Sequence, residues 1–293
     1  MEIKAFAKVN LTLEVGERRP DGYHSLRSIT ACVSLCDRLT VTLKEGGKID
    51  LDCSDGSIPT ETNTAYRAAL AFRDAFCPGL GAEIRLQKHI PSQAGLGGGS
   101  SDASAVLLAL NRLCGSPASP RELAALGAGL GSDMPLFIYG GICLMEGRGE
   151  KITPLPDSFP MDLILLKPGT GVSTREAYAM LDRRGTAGSL TSPRSLPGSR
   201  EEYYKIACNS FEEPAAALNG EVPLAAAHLK AAGAEFTLLC GSGSAVMGVY
   251  EDPAARDRAL EQLLRATDMQ ALPCRIMTRE EYAREMFGDI TIL

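Results

Sequence analysis

The strongest chemical signal in the chain is the run Pro91-Ser92-Gln93-Ala94-Gly95-Leu96-Gly97-Gly98-Gly99-Ser100-Ser101. It leads into Asp102-Ala103-Ser104-Ala105-Val106-Leu107-Leu108-Ala109-Leu110, which is apolar on nearly every face and predicts a buried helix. Glycines at a helix start leave backbone amides bare. The first four N–H groups of a helix lack internal partners and sit beside a partial positive charge. That combination accepts an oxyanion, and phosphate is the guest that fits it. A glycine run also fits a plain loop, but this one is anchored to a core helix.

Four other places carry residues able to do chemistry. Residues 3–15 alternate with period 2, so Lys8 and Asn10 share one strand face, about 7 Å apart; a solvated strand face explains them equally well. Pro20-Asp21-Gly22 is turn chemistry, followed at once by Tyr23 and His24. Those two residues either decorate a plain hairpin or stack on and hydrogen-bond a flat heterocycle. Asp133 lies between a helix stop at Gly131 and the apolar Leu136-Phe137-Ile138; it either caps the next turn or serves as a base near the core. Lys88 has the parity of its apolar neighbours Leu86 and Ile90, so it snorkels from a strand end or faces an anionic ligand. A second small-residue loop, Cys240-Gly241-Ser242-Gly243-Ser244-Ala245, reads in isolation as an ordinary hairpin.

Periodicity predicts the elements that must hold these residues. A half-buried strand covers 3–15. Strand runs at 29–35, 39–43 and 49–53, separated by Asp37-Arg38 and Glu45-Gly46-Gly47-Lys48, predict an antiparallel meander. A helix at 64–76, a strand at 82–90, the glycine run with its helix, and a helix at 120–130 follow. Three prolines within 154–160 predict a boundary, giving domains 1–155 and 156–293. Beyond it come a strand at 162–167, a helix from Thr174 to about Asp182, and a polar, mobile loop at 183–199. Helical stretches at 212–218 and 223–232, strands at 235–240 and 245–250, a helix at 253–267 and a strand at 270–277 complete the chain. Without the inserted helices the order is β-α-β-β-α-β, which is ferredoxin-like. The fold class is therefore α+β, with a mixed α/β N-terminal domain and a ferredoxin-like C-terminal one.

Bulk properties exclude several classes. The chain has 293 residues, 45% hydrophobic and 23% charged, the profile of a globular protein. A net charge of −6 argues against general nucleic-acid binding. No apolar run of about 18 residues predicts a membrane span, and Met1–Phe6 lacks a signal peptide's apolar core. Nine cysteines without a Cys-x-x-Cys spacing predict reduced thiols and a cytoplasmic setting. The nucleotide motifs G-x-x-x-x-G-K-[ST] and G-x-G-x-x-G are both absent, as are protein-kinase motifs.

Taken together, Ala7-Lys8-Val9-Asn10-Leu11, Arg19–His24, Pro91–Ser101, Gly131–Phe137, Gly147-Arg148-Gly149-Glu150, Asn209-Ser210-Phe211-Glu212 and Gly241–Ser244 resemble the GHMP kinases, a family of small-molecule kinases. Within that family, the Asp-Gly-Tyr-His block resembles the branch whose acceptor is a cytidine diphosphate-linked methylerythritol, in non-mevalonate isoprenoid precursor synthesis. The resemblance implies a two-domain GHMP kinase architecture, with ATP and Mg²⁺ as cofactors. It implies Asp133 as general base and Lys8 beside it, with Pro91 to Ser101 around the ATP phosphates. It implies Tyr23 and His24 on the cytosine, Asn10 and Lys88 on the erythritol and phosphate parts, Thr174 and Tyr178 from the smaller domain, and Gly241, Ser242 and Gly243 at the diphosphate. No metal ligand is assigned. A small-molecule partner is expected, without nucleic acid or membrane, for a monomer or weak homodimer. A kinase for a smaller alcohol and a non-catalytic nucleotide binder are the competing readings. Two departures stand out: Cys240 replaces the family's usual serine, and Thr186–Ser199 aligns with nothing in it.

Overall fold

β1 (Glu2–Arg18) threads all three hydrophobic cores of the molecule. The structure is a computed structural model that describes residues 1–185 and 188–288. After β1 come β2 (His24–Lys44), β3 (Ile49–Cys53), α1 (Thr64–Phe76), β4 (Gly81–Gln87), α2 (Gly98–Leu113), α3 (Pro120–Leu130), α4 (Met134–Tyr139), β5 (Ile142–Gly147) and β6 (Lys151–Pro154). The second half continues with β7 (Asp162–Lys167), α5 (Thr174–Arg184), α6 (Arg200–Ile206), β8 (Cys208–Asn209), α7 (Glu212–Leu218) and α8 (Glu221–Ala231). It ends with β9 (Phe236–Leu239), β10 (Val246–Tyr250), α9 (Pro253–Ala266), β11 (Gln270–Arg275) and α10 (Arg279–Met286).

The first sheet runs β3-β4-β2-β1-β8. β2 is long enough to take β5 along Leu26–Ala31 and β4 along Arg38–Lys44 on the side away from β1. The break expected at Asp37-Arg38 therefore does not exist. Asp37 sits fully buried inside one continuous strand, satisfied by a lysine 51 residues away. The second sheet runs β11-β7-β10-β9, which in chain order is 4-1-3-2, the ferredoxin-like arrangement expected.

The packing explains a second difference. Ile3, Ala5 and Phe6 of β1 meet α1 and α2, whereas Ala7, Val9 and Leu11 meet β7 and β10 of the other sheet. Leu13 and Val15 then join α5, α7 and α8. β1 is thus buried on both faces rather than one: helices and the second sheet take its apolar residues, and Ser28, Thr30 and the glycine loop close over Lys8 and Asn10 on the face that alternation assigns to solvent. Register shifts between Phe6 and Lys8 and between Asn10 and Thr12 bracket the two polar residues of this strand. Such bulges re-aim side chains.

Three helices fall where the sequence predicts none, α4, α6 and α10. α10 ties the end of the chain back to the first half. The Arg279 guanidinium donates to the carbonyls of Tyr139, Gly140, Ile142 and Leu155, and the Tyr282 hydroxyl donates to the carbonyl of Phe137. The polar loop is also pinned along part of its length. Glu14 accepts from the backbone amides of Thr191 and Ser192, and Arg27 donates to the carbonyls of Leu190 and Ser192.

Candidate active site

The glycine loop takes its shape from what crowds it. Gly97, the N-cap of α2, has φ 72°, and a Cβ there would stand 2.9 Å from Phe137 and 3.0 Å from the Lys8 stem. Gly95 has φ 77°, and a Cβ would fall 1.9 Å from the carbonyl oxygen of Cys240. Only glycine allows this approach. The loop is clamped on both sides. Lys8 N–H donates to Leu96 on one side, while Ser244 and Ala245 N–H donate to Gln93 and Ala94 on the other. Pro91 to Gly99 line a cavity of about 180 Å³, closed at one end by Lys88 and Ile90. The free amides at the start of α2 make it an anion site.

A second cavity, about 250 Å³, lies across the loop and shares Gly95 and Gly97 with the first. Lys8 and Asn10 form part of its floor. Lys8 Nζ, 6% exposed, donates to Asn10 Oδ1 at 2.6 Å and lies 3.9 Å from Asp133 Oδ2. Asn10 Nδ2 donates to Ser28 Oγ and Thr30 Oγ1, which sets the amide so that its oxygen faces the lysine. Asp133 stands at the N-cap of α4, yet its side chain makes no capping hydrogen bond. The capping alternative therefore lapses, and the carboxylate is left facing the cavity. The Cys240 thiol nearby is pushed up to about 12 by burial, so it is no nucleophile.

The opposite wall is α5, with Thr174, Tyr178 and Asp182 at i, i+4 and i+8. Thr174 Oγ1 and Ser242 Oγ share a 2.7 Å hydrogen bond. The Tyr178 ring meets Phe211 edge-on at 4.9 Å and stacks on His24 at 5.4 Å. Burial, helped by the charge of Asp133, pushes its phenol up to about 12. His24 is held at both nitrogens, Nδ1 against Gly16 O and Nε2 against Asp182 Oδ1, each at 3.0 Å.

The structure thus brings Lys8, Asn10, Asp133, Thr174, Tyr178, Gly241 and Ser242 together around one cavity. Tyr23, His24, Lys88 and Gly243 do not line it. Tyr23 projects into solvent with the Arg148 guanidinium 4.8 Å from its ring centroid, and His24 lies behind Tyr178. A Cβ on Gly243 would face Leu239, Val172 and Ala215, so this glycine shapes the back of its loop. Lys88 borders the glycine-loop cavity and pairs with two carboxylates, Asp37 and Asp102. The alternation that marks Lys88 cannot show its partners, which arrive from β2 and α2.

A larger cavity, about 420 Å³, lies around Phe159, Met161 and Arg275 and shares no lining residue with the other two. Among the described residues no group of three or more His, Cys, Asp or Glu is placed to hold a metal ion. Nor is any helix there long and apolar enough to cross a membrane.

Residues 63–141 match the family described as GHMP kinases N terminal domain. The chain is 40% identical over 269 residues to 4-diphosphocytidyl-2-C-methyl-D-erythritol kinase of Symbiobacterium thermophilum, covering 90% of this chain and 95% of that protein. It is 39% identical over 256 residues to the protein of the same name from Desulfitobacterium hafniense, covering 86% and 87%. A crystal structure of 4-(cytidine 5'-diphospho)-2C-methyl-D-erythritol kinase superposes with a TM-score of 0.79 at 37% identity, over 94% of this chain and 100% of that one. A homoserine kinase from Cytophaga hutchinsonii shares the fold with a TM-score of 0.68 at 19% identity, over 94% and 95%.

Proposed function

The chain belongs to the GHMP kinase family, and from that membership we propose that it transfers the γ-phosphoryl group of ATP to the 2-hydroxyl of 4-diphosphocytidyl-2-C-methyl-D-erythritol. The observation that carries this reading is the pair of cavities meeting at Gly95 and Gly97. A phosphate held against the amides of α2 reaches the other cavity at that junction. There, Lys8 and Asp133 are the charged groups in wait.

In this mechanism Asp133 takes the proton of the 2-hydroxyl as the oxygen attacks phosphorus and ADP leaves. The Lys8 ammonium, 3.9 Å from that carboxylate, stabilises charge on the moving phosphoryl oxygens. In-line transfer asks little covalent chemistry of the protein, so positioning does most of the work. Asn10 holds Lys8 in place. Mg²⁺ would neutralise phosphate charge when bound with ATP. Residues 1–155 would supply ATP binding and the base, and 156–293 the acceptor wall of Thr174, Tyr178, Gly241 and Ser242. Tyr23 and His24 would grip the cytosine beyond Tyr178.

The cavity, about 250 Å³, is small, which also fits a shorter alcohol such as homoserine or mevalonate. Incubating the protein with ATP, Mg²⁺ and each candidate acceptor, and following ADP release, separates the two. Turnover with a short alcohol and none with the cytidyl acceptor overturns the proposal.

A further inference from the structure

We propose that Cys77 and Cys114 are a modification site: a small disulfide such as glutathione disulfide oxidises them to a reversible crosslink between α1 and α2. The two helices run parallel and nearly in register. At their first turns the Thr64 hydroxyl donates to the carbonyl of Gly99 at 2.7 Å. At a rise of about 1.5 Å per residue, Cys77 lies about 20 Å along α1 from that contact, and Cys114 about 22 Å along α2. Each is the C-cap of its helix, with its N–H still bonded to the last turn, Cys77 to Arg73 O and Cys114 to Leu110 O. Both rest half-buried on the rim of the first core, and the Cys114 thiol hydrogen-bonds to Cys77. Cys32 with Cys143, and Cys240 with Cys274, also lie close enough to feel each other's charge. Those four are buried in the cores, where an outside disulfide does not reach.

Burial and the bond to Cys77 push the Cys114 thiol up to about 11, so Cys114 keeps its proton and Cys77 attacks first. The Cys77 thiolate displaces one thiol from the small disulfide and holds the other half as a mixed disulfide. Cys114, which then has no thiol beside it, loses its proton to water, attacks the Cys77 sulfur and expels the second thiol. Two protein thiols give up two electrons, one external disulfide is reduced to two thiols, and the two protons released end on those thiols. The crosslink closes the segment that carries β4, Lys88, the glycine loop and α2. It restricts, in the unfolded chain, the stretch that builds the anion site in the folded one. The oxidised protein is therefore a hardened form of the same fold.

The test is incubation of the full, folded chain with glutathione disulfide, followed by blocking of free thiols, tryptic digestion without reduction, and mass spectrometry. Trypsin cuts after Arg73, Arg85, Arg112 and Arg121, so Cys77 and Cys114 leave in separate peptides that hold no other cysteine. The expected product is those two peptides joined, and dithiothreitol parts them. Cys114→Ser is expected to stop at a glutathione adduct on Cys77, and Cys77→Ser to give no joined peptide. In urea denaturation the oxidised wild type should show an unfolding equilibrium constant about 10²-fold lower than the reduced protein, a gain absent from Cys114→Ser. Separate glutathione adducts on the two cysteines of the wild type overturn the proposal, as does a crosslink that forms only in urea. A crosslinked protein no more stable than the reduced one also overturns it.

Discussion

Two lysine–carboxylate groups flank the glycine loop, and they are built in opposite ways. On the acceptor side Lys8 and Asp133 stand 3.9 Å apart, with the carboxylate over a third exposed and making no capping bond. On the other side Lys88 is wedged between Asp37 and Asp102, both almost fully buried. Asp37 also accepts from the backbone amides of His89 and Ile90. Burial alone would lower the Lys88 ammonium, but Asp102 and Asp37 outweigh it and raise it. Burial and the nearby charge of Asp37 push Asp102 up to about 8, against the pull of Lys88. The residue types are the same, so charge does not mark the pair proposed to react. What marks it is a carboxylate over a third exposed and facing a cavity.

If that contrast is right, the two lysines and their partners fail in different assays. Lys88→Met leaves two buried carboxylates without their cation. It is expected to cost about 3–5 kcal/mol of stability, read by urea denaturation; a variant as stable as the wild type would make the buried cluster decorative. Asp133→Asn is expected to lower kcat at least about 10²-fold while ATP still binds and the denaturation midpoint holds. Retained turnover would remove Asp133 as the base and erase the difference between the two groups.

Legibility in the sequence followed the range of the interactions. The order of the second sheet was readable, because its strands and helices carry local periodicity. Lys8 and Asn10 were readable as neighbours on one strand face, since period 2 needs only adjacent residues. Their burial was not, because it depends on Ser28 and Thr30 of β2 and on the glycine loop, which reach them only in the fold. Asp37 misled for the same reason: a charge in mid-strand looks like a break until Lys88 is seen beside it. α6 and α10 escaped because they are short and mostly polar, held by caps and by partners such as Tyr139 and Phe137 rather than by a long apolar face. Asp133 was visible as a position with two readings, and only the missing cap bond separated them.

The smallest expected effect probes the closed cluster by pH. Asp102 has its folded value raised from 3.8 to about 8, so the folded chain holds a proton there that the unfolded chain has already released. Stability from this group is full below about pH 4 and is lost as pH rises towards 8. Lys88, raised above 10.5, gives up its share only in stronger alkali and stays out of that window. Asp102→Asn replaces the protonated carboxyl by a neutral group of the same shape, and its second heteroatom meets a position where Asp102 Oδ1 has no partner. Between pH 7 and 8 the wild type should therefore lose about 1 kcal/mol that the variant keeps. Denaturation midpoints of both proteins at the two pH values measure it. Parallel pH profiles would mean that both carboxylates beside Lys88 are ionised throughout, and the cluster would then resemble the Lys8–Asp133 pair more closely than its burial suggests.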